Sequence, residues 1–311
     1  MKRAATFVAM LVITTAASAR QYGTQSQPTT QSGAAQTSAP QSGTAQPATA
    51  QPATPPGKRP PQAKTQPEFD AYQAAMASAN DPAAMEKSAD EFAAKYPDSE
   101  LMALIYKSAM RSHQRANNAD KMLEMGRKVL KSDPDDPEAL IGVAEVLAER
   151  TRDTDLDKDQ RLDEAMKLAQ HALETVDTDV AAPAGTPQDK LDAYKGFLRS
   201  SAYSIIGTLQ FNREKFPDAE VSFRKSVDAL PSQPDPVVVL RLALSLDKQG
   251  KYPDALKEAN HAVELTQEGT PAGGLARRER DRLVQLTSGS SPAPTAKPPS
   301  GAAANSVPPP K

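Results

Sequence analysis

The sequence predicts an all-α fold: an α-solenoid of about five helical hairpins, closed by a C-terminal capping helix and flanked by disordered tails. Three observations lead there. Between the tails, apolar positions follow helical spacing, and no stretch alternates with the period of two that a half-buried strand shows. A hairpin-sized segment recurs, because Phe216-Pro217-Asp218-Ala219 returns as Tyr252-Pro253-Asp254-Ala255, 36 residues later. Helix-start signals also recur. Asp81-Pro82, Asp136-Pro137, Thr186-Pro187 and Asp235-Pro236 each place a capping side chain before a proline in the first turn.

Taken in order, residues 1–19 have the three parts of a secretory signal: Lys2 and Arg3, an apolar middle from Ala4 to Ala16, and the Ala17-Ser18-Ala19 cleavage pattern. The apolar run is shorter than the roughly 20 residues that span a bilayer, and no later segment is apolar enough to span. The expectation is export to the periplasm or cell envelope, or secretion, with no transmembrane anchor after cleavage. The chain contains no cysteine, which removes disulfides, zinc–thiolate sites, thiol nucleophiles and a lipid-modified cysteine. Residues 20–66 are Gln, Thr, Ser, Ala, Gly and Pro with almost no large apolar side chain, and include the near-repeat QPATAQPATPP. Such a stretch buries too little surface to offset its ordering entropy. As a flexible coil it would span about 40 Å. Residues 288–311 have the same character.

The body is expected over residues 67–287. Its last two hairpins carry the clearest pattern, in which Tyr203, Ile206 and Gly207 align on Val239, Leu242 and Ala243, and Ala219 on Ala255. Phe223 follows one turn after Ala219, and Pro231 closes the unit. These residues resemble the tetratricopeptide repeat, a helix–turn–helix unit of about 34 residues, with Gln210 departing from the expected aromatic. Earlier units hold the register more loosely: Leu140, Val143, Ala144 and Leu147 precede Leu162, Ala165, Ala169 and Ala172; Tyr106, Ala109 and Met110 precede Met122 and Val129; Phe69 and Tyr72 precede Met85, Ala89 and Phe92. The resemblance implies that Gly207 and Ala219 let the two helices approach while Phe223 fills the gap to the next hairpin. A helix from Gly274 to Leu286, with Leu275, Leu283 and Leu286 apolar, suits the terminal face. Two insertions interrupt the array, near residues 151–160 and 177–200, the second expected to lengthen a helix backwards from about Pro187.

Charge narrows the function. Residues 67–288 hold 29 of the 37 bases and all 39 acids, a net charge of −10. An acidic body argues against nucleic acid, whose binding needs neutralised phosphates. Asp153, Asp155, Asp157 and Glu164 sit at positions 1, 3, 5 and 12 of a calcium loop, but Lys158 replaces the turn glycine and Gln160 the apolar pairing residue. A solvated acidic loop is the competing reading. His113, His171 and His261 fall in separate hairpins. No glycine-flanked serine elbow or phosphate loop is present, so neither cofactor nor catalysis is expected. Pro271 to Gly274 reads as a turn.

By resemblance, a peptide groove would be lined by the first helices of the hairpins: Lys107, Arg111, Arg115, Glu138, Ile141, Glu145, Ser201, Ser204 and Thr208. Lys107, Arg111 and Arg115 recur every four residues and share one helix face. They either meet an acidic peptide or balance the acidic body. The asparagines of the family's carboxylate clamp are missing here. The expected function is an exported, non-enzymatic scaffold or adaptor holding a protein or peptide partner; the alternative is a wall-associated envelope protein retained through its Gln/Pro-rich tails.

Overall fold

Proline sits in the first turn of most of the helices, where its missing N–H has no partner to lose. In several of them a side chain ahead of it supplies the cap. The carboxylate of Asp81 accepts from the N–H groups of Ala83 and Ala84, that of Asp235 from Val237, and that of Asp136 from Ala139. Thr186 differs, since its hydroxyl donates back to the carbonyl of Pro183 at 2.7 Å. A computed structural model describes residues 58–183 and 185–288. The signal, most of the first tail and the second tail lie outside the described residues. Within them are eleven helices and no strand: α1 (Gln66–Met76), α2 (Pro82–Lys95), α3 (Met102–Arg115), α4 (Ala119–Ser132), α5 (Pro137–Arg150), α6 (Lys158–Thr175), α7 (Gln188–Asn212), α8 (Phe216–Ala229), α9 (Pro236–Lys248), α10 (Tyr252–Glu264) and α11 (Pro271–Thr287). They follow one another as five consecutive pairs and a final helix, a tetratricopeptide-like α-solenoid fold.

The turn inside the hairpin shows the repeat at backbone level. The first helices α3, α7 and α9 are each followed, two residues past their end, by a residue of left-handed conformation: Asn117 (φ 55°), Glu214 (φ 60°) and Gly250 (φ 74°). In each, the following N–H reaches five residues back, Asn118 to His113, Lys215 to Gln210 and Lys251 to Leu246, at 2.9–3.0 Å. This six-to-one closure satisfies carbonyls that the helix end leaves open.

The chain divides into two compact units. In the first, built from residues up to Ala139 together with Glu174–Lys195, α2 packs on α3, α3 on α4, and α1 reaches both α2 and α3. Its core includes Met85, Ala89, Phe92, Ile105, Ala109, Met110, Met125 and Val129. The folded chain begins earlier than composition indicates. Lys58 to Lys64, which reads as linker, is bound along the turns between hairpins. The Lys58 ammonium lies 2.5 Å from Asp133 and 3.5 Å from Asp179, and its N–H donates to the Thr178 carbonyl. Arg59 and the Gln62 N–H hold Glu100, and the Lys64 ammonium donates to the Asp98 carbonyl. Buried Glu68 accepts from the Lys64 N–H and the Ser99 hydroxyl, which fixes the start of α1. A composition poor in apolar residues thus docks through charge and backbone.

In the second unit, Leu140–Leu173 with Gly196 onwards, one core cluster joins four helices: Ala219 and Phe223 of α8, Val238, Leu242, Ala243 and Leu246 of α9, Ala255 and Ala259 of α10, and Leu283 of α11. A Cβ added at Gly207 would stand 2.7 Å from two carbons of the Phe223 ring. Gly207 is therefore what lets α7 and α8 close. Ile206 is buried beside it, while Tyr203 is half-exposed with the Lys225 ammonium 5.5 Å from its ring centre. Gln210, where an aromatic was expected, accepts a 2.6 Å hydrogen bond from the Ser222 hydroxyl.

Three expectations need correction. Leu275 is 51 % exposed, and Ala276, two turns before Leu283, takes its place on the buried face of α11. Pro271-Ala272-Gly273-Gly274 is the opening of α11, capped by Thr270, rather than a turn. The first insertion is shorter than its sequence suggested, because Lys158, Asp159 and Gln160 belong to α6. The second is mostly helix, since α7 runs from Gln188 for 25 residues.

Candidate functional site

Stacked repeats bury their surfaces against their neighbours, and here the first helices α3, α7 and α9 are the more deeply buried members of their pairs. Both helices of a pair contribute fully buried alanines, Ala109, Ala144, Ala202 and Ala243 among the first helices. Ala219, Ala255, Ala259 and Ala262 of α8 and α10 are likewise fully buried, and the first helices also carry polar groups at regular spacing. Those groups differ in kind between the two units.

In the first unit the expected cations of α3 are already matched. The Lys107 ammonium lies 2.5 Å from Asp136, which also caps α5. The Arg111 guanidinium binds both oxygens of Glu138 in a fork. The Tyr194 hydroxyl, from the start of α7, donates to Glu138 at 2.6 Å. Burial would raise the Glu138 carboxyl, but the charge and hydrogen bonds of Arg111, with Lys107 and Tyr194, hold it at about 2. Burial pushes the Tyr194 phenol up, and Glu138 adds to it. Arg115 donates to the Ala79 carbonyl at 2.6 Å. Lys107 and Arg111 are tied into the body by charge-assisted bonds. Asp136 and Tyr194 are the members sequence reasoning missed. Asp136 gave a signal only as a helix cap, and Tyr194 sat in what read as an insertion.

In the second unit the first-helix residues are less satisfied. Ile141 is buried on α5. One turn later Glu145 is only partly exposed, and no described residue offers it a hydrogen bond or an ion pair. Burial first, and then the like charge of Glu149 a further turn on, lift its carboxyl to about 7. On α7, Ser201, Ser204 and Thr208 are partly exposed, and the Thr208 hydroxyl donates to the Ser204 carbonyl at 2.7 Å. The same hydroxyl accepts from Arg241 of α9 at 2.8 Å. Burial lowers the Arg241 guanidinium, with Asp235 and Glu149 opposing through their charge. Arg241 was not among the expected lining residues. Carrying Ser204 and Thr208 forward by the repeat offset lands on Leu240 and Leu244, so strict periodicity passes Arg241 by.

The remaining candidates resolve into local structure. Asp153 pairs with Lys158 at 2.7 Å, and Asp155 accepts from the Arg152 N–H and lies 3.9 Å from Arg161. Lys158, where a calcium loop turns, is instead the first residue of α6. Among the described residues no group of three potential ligands is placed to hold a metal. His113 is buried with its Nε2 3.0 Å from Glu86. No helix among the described residues is long and apolar enough to cross a membrane.

No family profile and no curated protein sequence matches the chain. Among solved structures it is similar to a thermophilic TPR protein of Thermus thermophilus, at 13% identity over 70% of this chain and 99% of that one, with a TM-score of 0.42. It is also similar to the MamA protein, at 18% identity over 60% of this chain and 89% of that one, TM-score 0.35. A third similarity is to Acl4, an assembly chaperone of RpL4, at 13% identity, 71% and 98% coverage, and TM-score 0.37. These overlaps are loose. The tetratricopeptide-like description of this chain stands on its own turn closures and on the Gly207–Phe223 seam.

Proposed function

We propose that the chain is an exported, non-enzymatic scaffold that holds a protein partner against the first-helix face of its second unit, with the tails giving reach. The observation that carries this is the contrast in charge satisfaction. Lys107 and Arg111 are closed into an internal network, whereas Glu145 stands half-buried with no described partner. Perturbed, partly desolvated ionisable groups cluster at functional sites, where a ligand can supply the missing complement. The residues of the signal pattern support export, and the acidic body supports a protein partner over nucleic acid.

The test is affinity capture of the full chain from cells, with the partner mapped by crosslinking from Thr208. Specific capture that vanishes when the first-helix face is altered supports the reading; recovery of background alone contradicts it. Deleting residues 20–57, which spares the bound Lys58–Lys64 segment, separates scaffold from wall-retained protein. The scaffold keeps its partner after that deletion, whereas a protein retained by its tail is lost from the envelope fraction. Fusion of residues 1–19 to a reporter tests export directly.

A further inference from the structure

We infer that Glu145 is the receptor for a basic side chain, so that the first-helix face of the second unit takes an extended segment carrying lysine or arginine. This rests on the scaffold reading and names the chemistry of the partner it would hold.

Charges pair unevenly among the acids of α5. Around Glu138 the structure supplies a guanidinium, an ammonium and a phenol. Around Glu145, two helix turns further along, the described residues supply only burial and another acid, Glu149. A half-buried carboxylate without a described partner is less well solvated than a free one, and a cation brought beside it at the exposed edge compensates through charge and hydrogen bonding. The position is also reachable, since Glu145 is partly exposed and shares its face of α5 with Ile141 and Glu149. A lysine or arginine can lay its aliphatic stem along such a face and place its charge at the acid.

The opposite assignment, an acidic segment taken by Arg241, is less well matched. That guanidinium already donates to Thr208 and feels the charges of Asp235 and Glu149. An acidic segment would also approach a body of net charge −10, whereas a basic one is drawn to it. A metal ion is a poorer occupant than a side chain, because no group of three ligands converges among the described residues.

The experiment uses the full chain and two fluorescein-labelled probes, acetyl-(Gly-Lys)5-amide and acetyl-(Gly-Glu)5-amide, titrated by fluorescence anisotropy at pH 8. Wild type is compared with Glu145→Gln, with Arg241→Gln, and with Glu91→Gln, which removes an equal charge from an exposed site on α2. The expected result is that the lysine probe binds wild type and Glu91→Gln alike, and binds Glu145→Gln about tenfold more weakly. The glutamate probe binds all four proteins more weakly than the lysine probe binds wild type. Three results would overturn the inference: equal affinity of the lysine probe for wild type and Glu145→Gln, an equal loss in Glu91→Gln, or tighter binding of the glutamate probe that Arg241→Gln abolishes. Glutamine is isosteric, and circular dichroism of each variant verifies folding. Partner crosslinking from Thr208 that persists in Glu145→Gln, with equal probe affinities, would sink the basic-segment assignment alone. Absence of any crosslink in wild type would remove the scaffold reading with it.

Discussion

Replacing Gly207 by alanine tests the seam between α7 and α8. On an ordinary helix face this change stabilises, since alanine is about 1 kcal/mol better than glycine in helix propensity. Here the new methyl carbon would stand 2.7 Å from Cδ1 and Cε1 of Phe223 and 3.1 Å from Cγ. Carbon atoms pack best at roughly 3.5–4.0 Å, so the ring or the helix must retreat by nearly that difference. Phe223 is fully buried among Ala219, Leu242 and Ala255, which leaves it little room. Overpacking of this kind costs about 1–3 kcal/mol. Set against the propensity gain, the net effect is a loss of up to about 2 kcal/mol, or several degrees in melting temperature for a body of this size. Urea denaturation followed by circular dichroism measures it. A cycle with Phe223→Leu sharpens the result, because a smaller side chain removes the clash. In that background Gly207→Ala should become neutral or stabilising, a coupling of about 1 kcal/mol or more. If Gly207→Ala stabilises the wild-type background by the full propensity gain, the close approach of α7 and α8 does not exist.

Other variants probe other parts. Glu145→Gln should stabilise at pH 8 and do nothing below about pH 4.5. The folded carboxyl near 7 lies above its unfolded value, so the wild type loses stability as pH rises between the two and the variant does not. The separation at pH 8 should be about 1–3 kcal/mol, and parallel urea curves at both pH values would contradict it. Glu214→Gly should stabilise by about 1 kcal/mol, because Glu214 holds a left-handed φ of 60° where the next hairpin has Gly250; thermal denaturation that shows a loss would count against the turn assignment. Lys58→Ala should lower stability by about 0.5–1 kcal/mol and lose most of that effect in 1 M salt, as expected of a partly exposed ion pair. Hydrogen exchange at Thr178 and Asp179 unchanged in the variant would mean that the segment does not fasten that turn.

Helices and their pairing were legible because they are local. Asp-Pro starts and small–aromatic spacing act within one hairpin, and the 36-residue offset makes two hairpins read each other. What was not legible depends on residues far apart in sequence. Lys58 reads as linker until Asp133 and Asp179 stand beside it. Lys107 and Arg111 read as a free cationic stripe until Asp136, Glu138 and Tyr194 close it. Charge compensation has no periodicity to reveal it: the stripe that read equally as a peptide site or as balance for the acidic body is paired within that body, and Glu145 is left without a described partner. Leu275 misled for a different reason. Apolar residues at a helix start suggested its buried face, but the two-turn step from Ala276 to Leu283 decides which side meets α10.

Which face of the hairpins meets the partner is the central question, and in-cell photocrosslinking reads it directly. A photoreactive phenylalanine analogue at Thr208 on α7 is compared with one at Leu123 on α4 and one at Lys257 on α10. Crosslinks to a defined protein from position 208, and none from 123 or 257, are the predicted pattern. Crosslinks from 123 or 257 with none from 208 would place the partner on the second helices and contradict docking on the first-helix face.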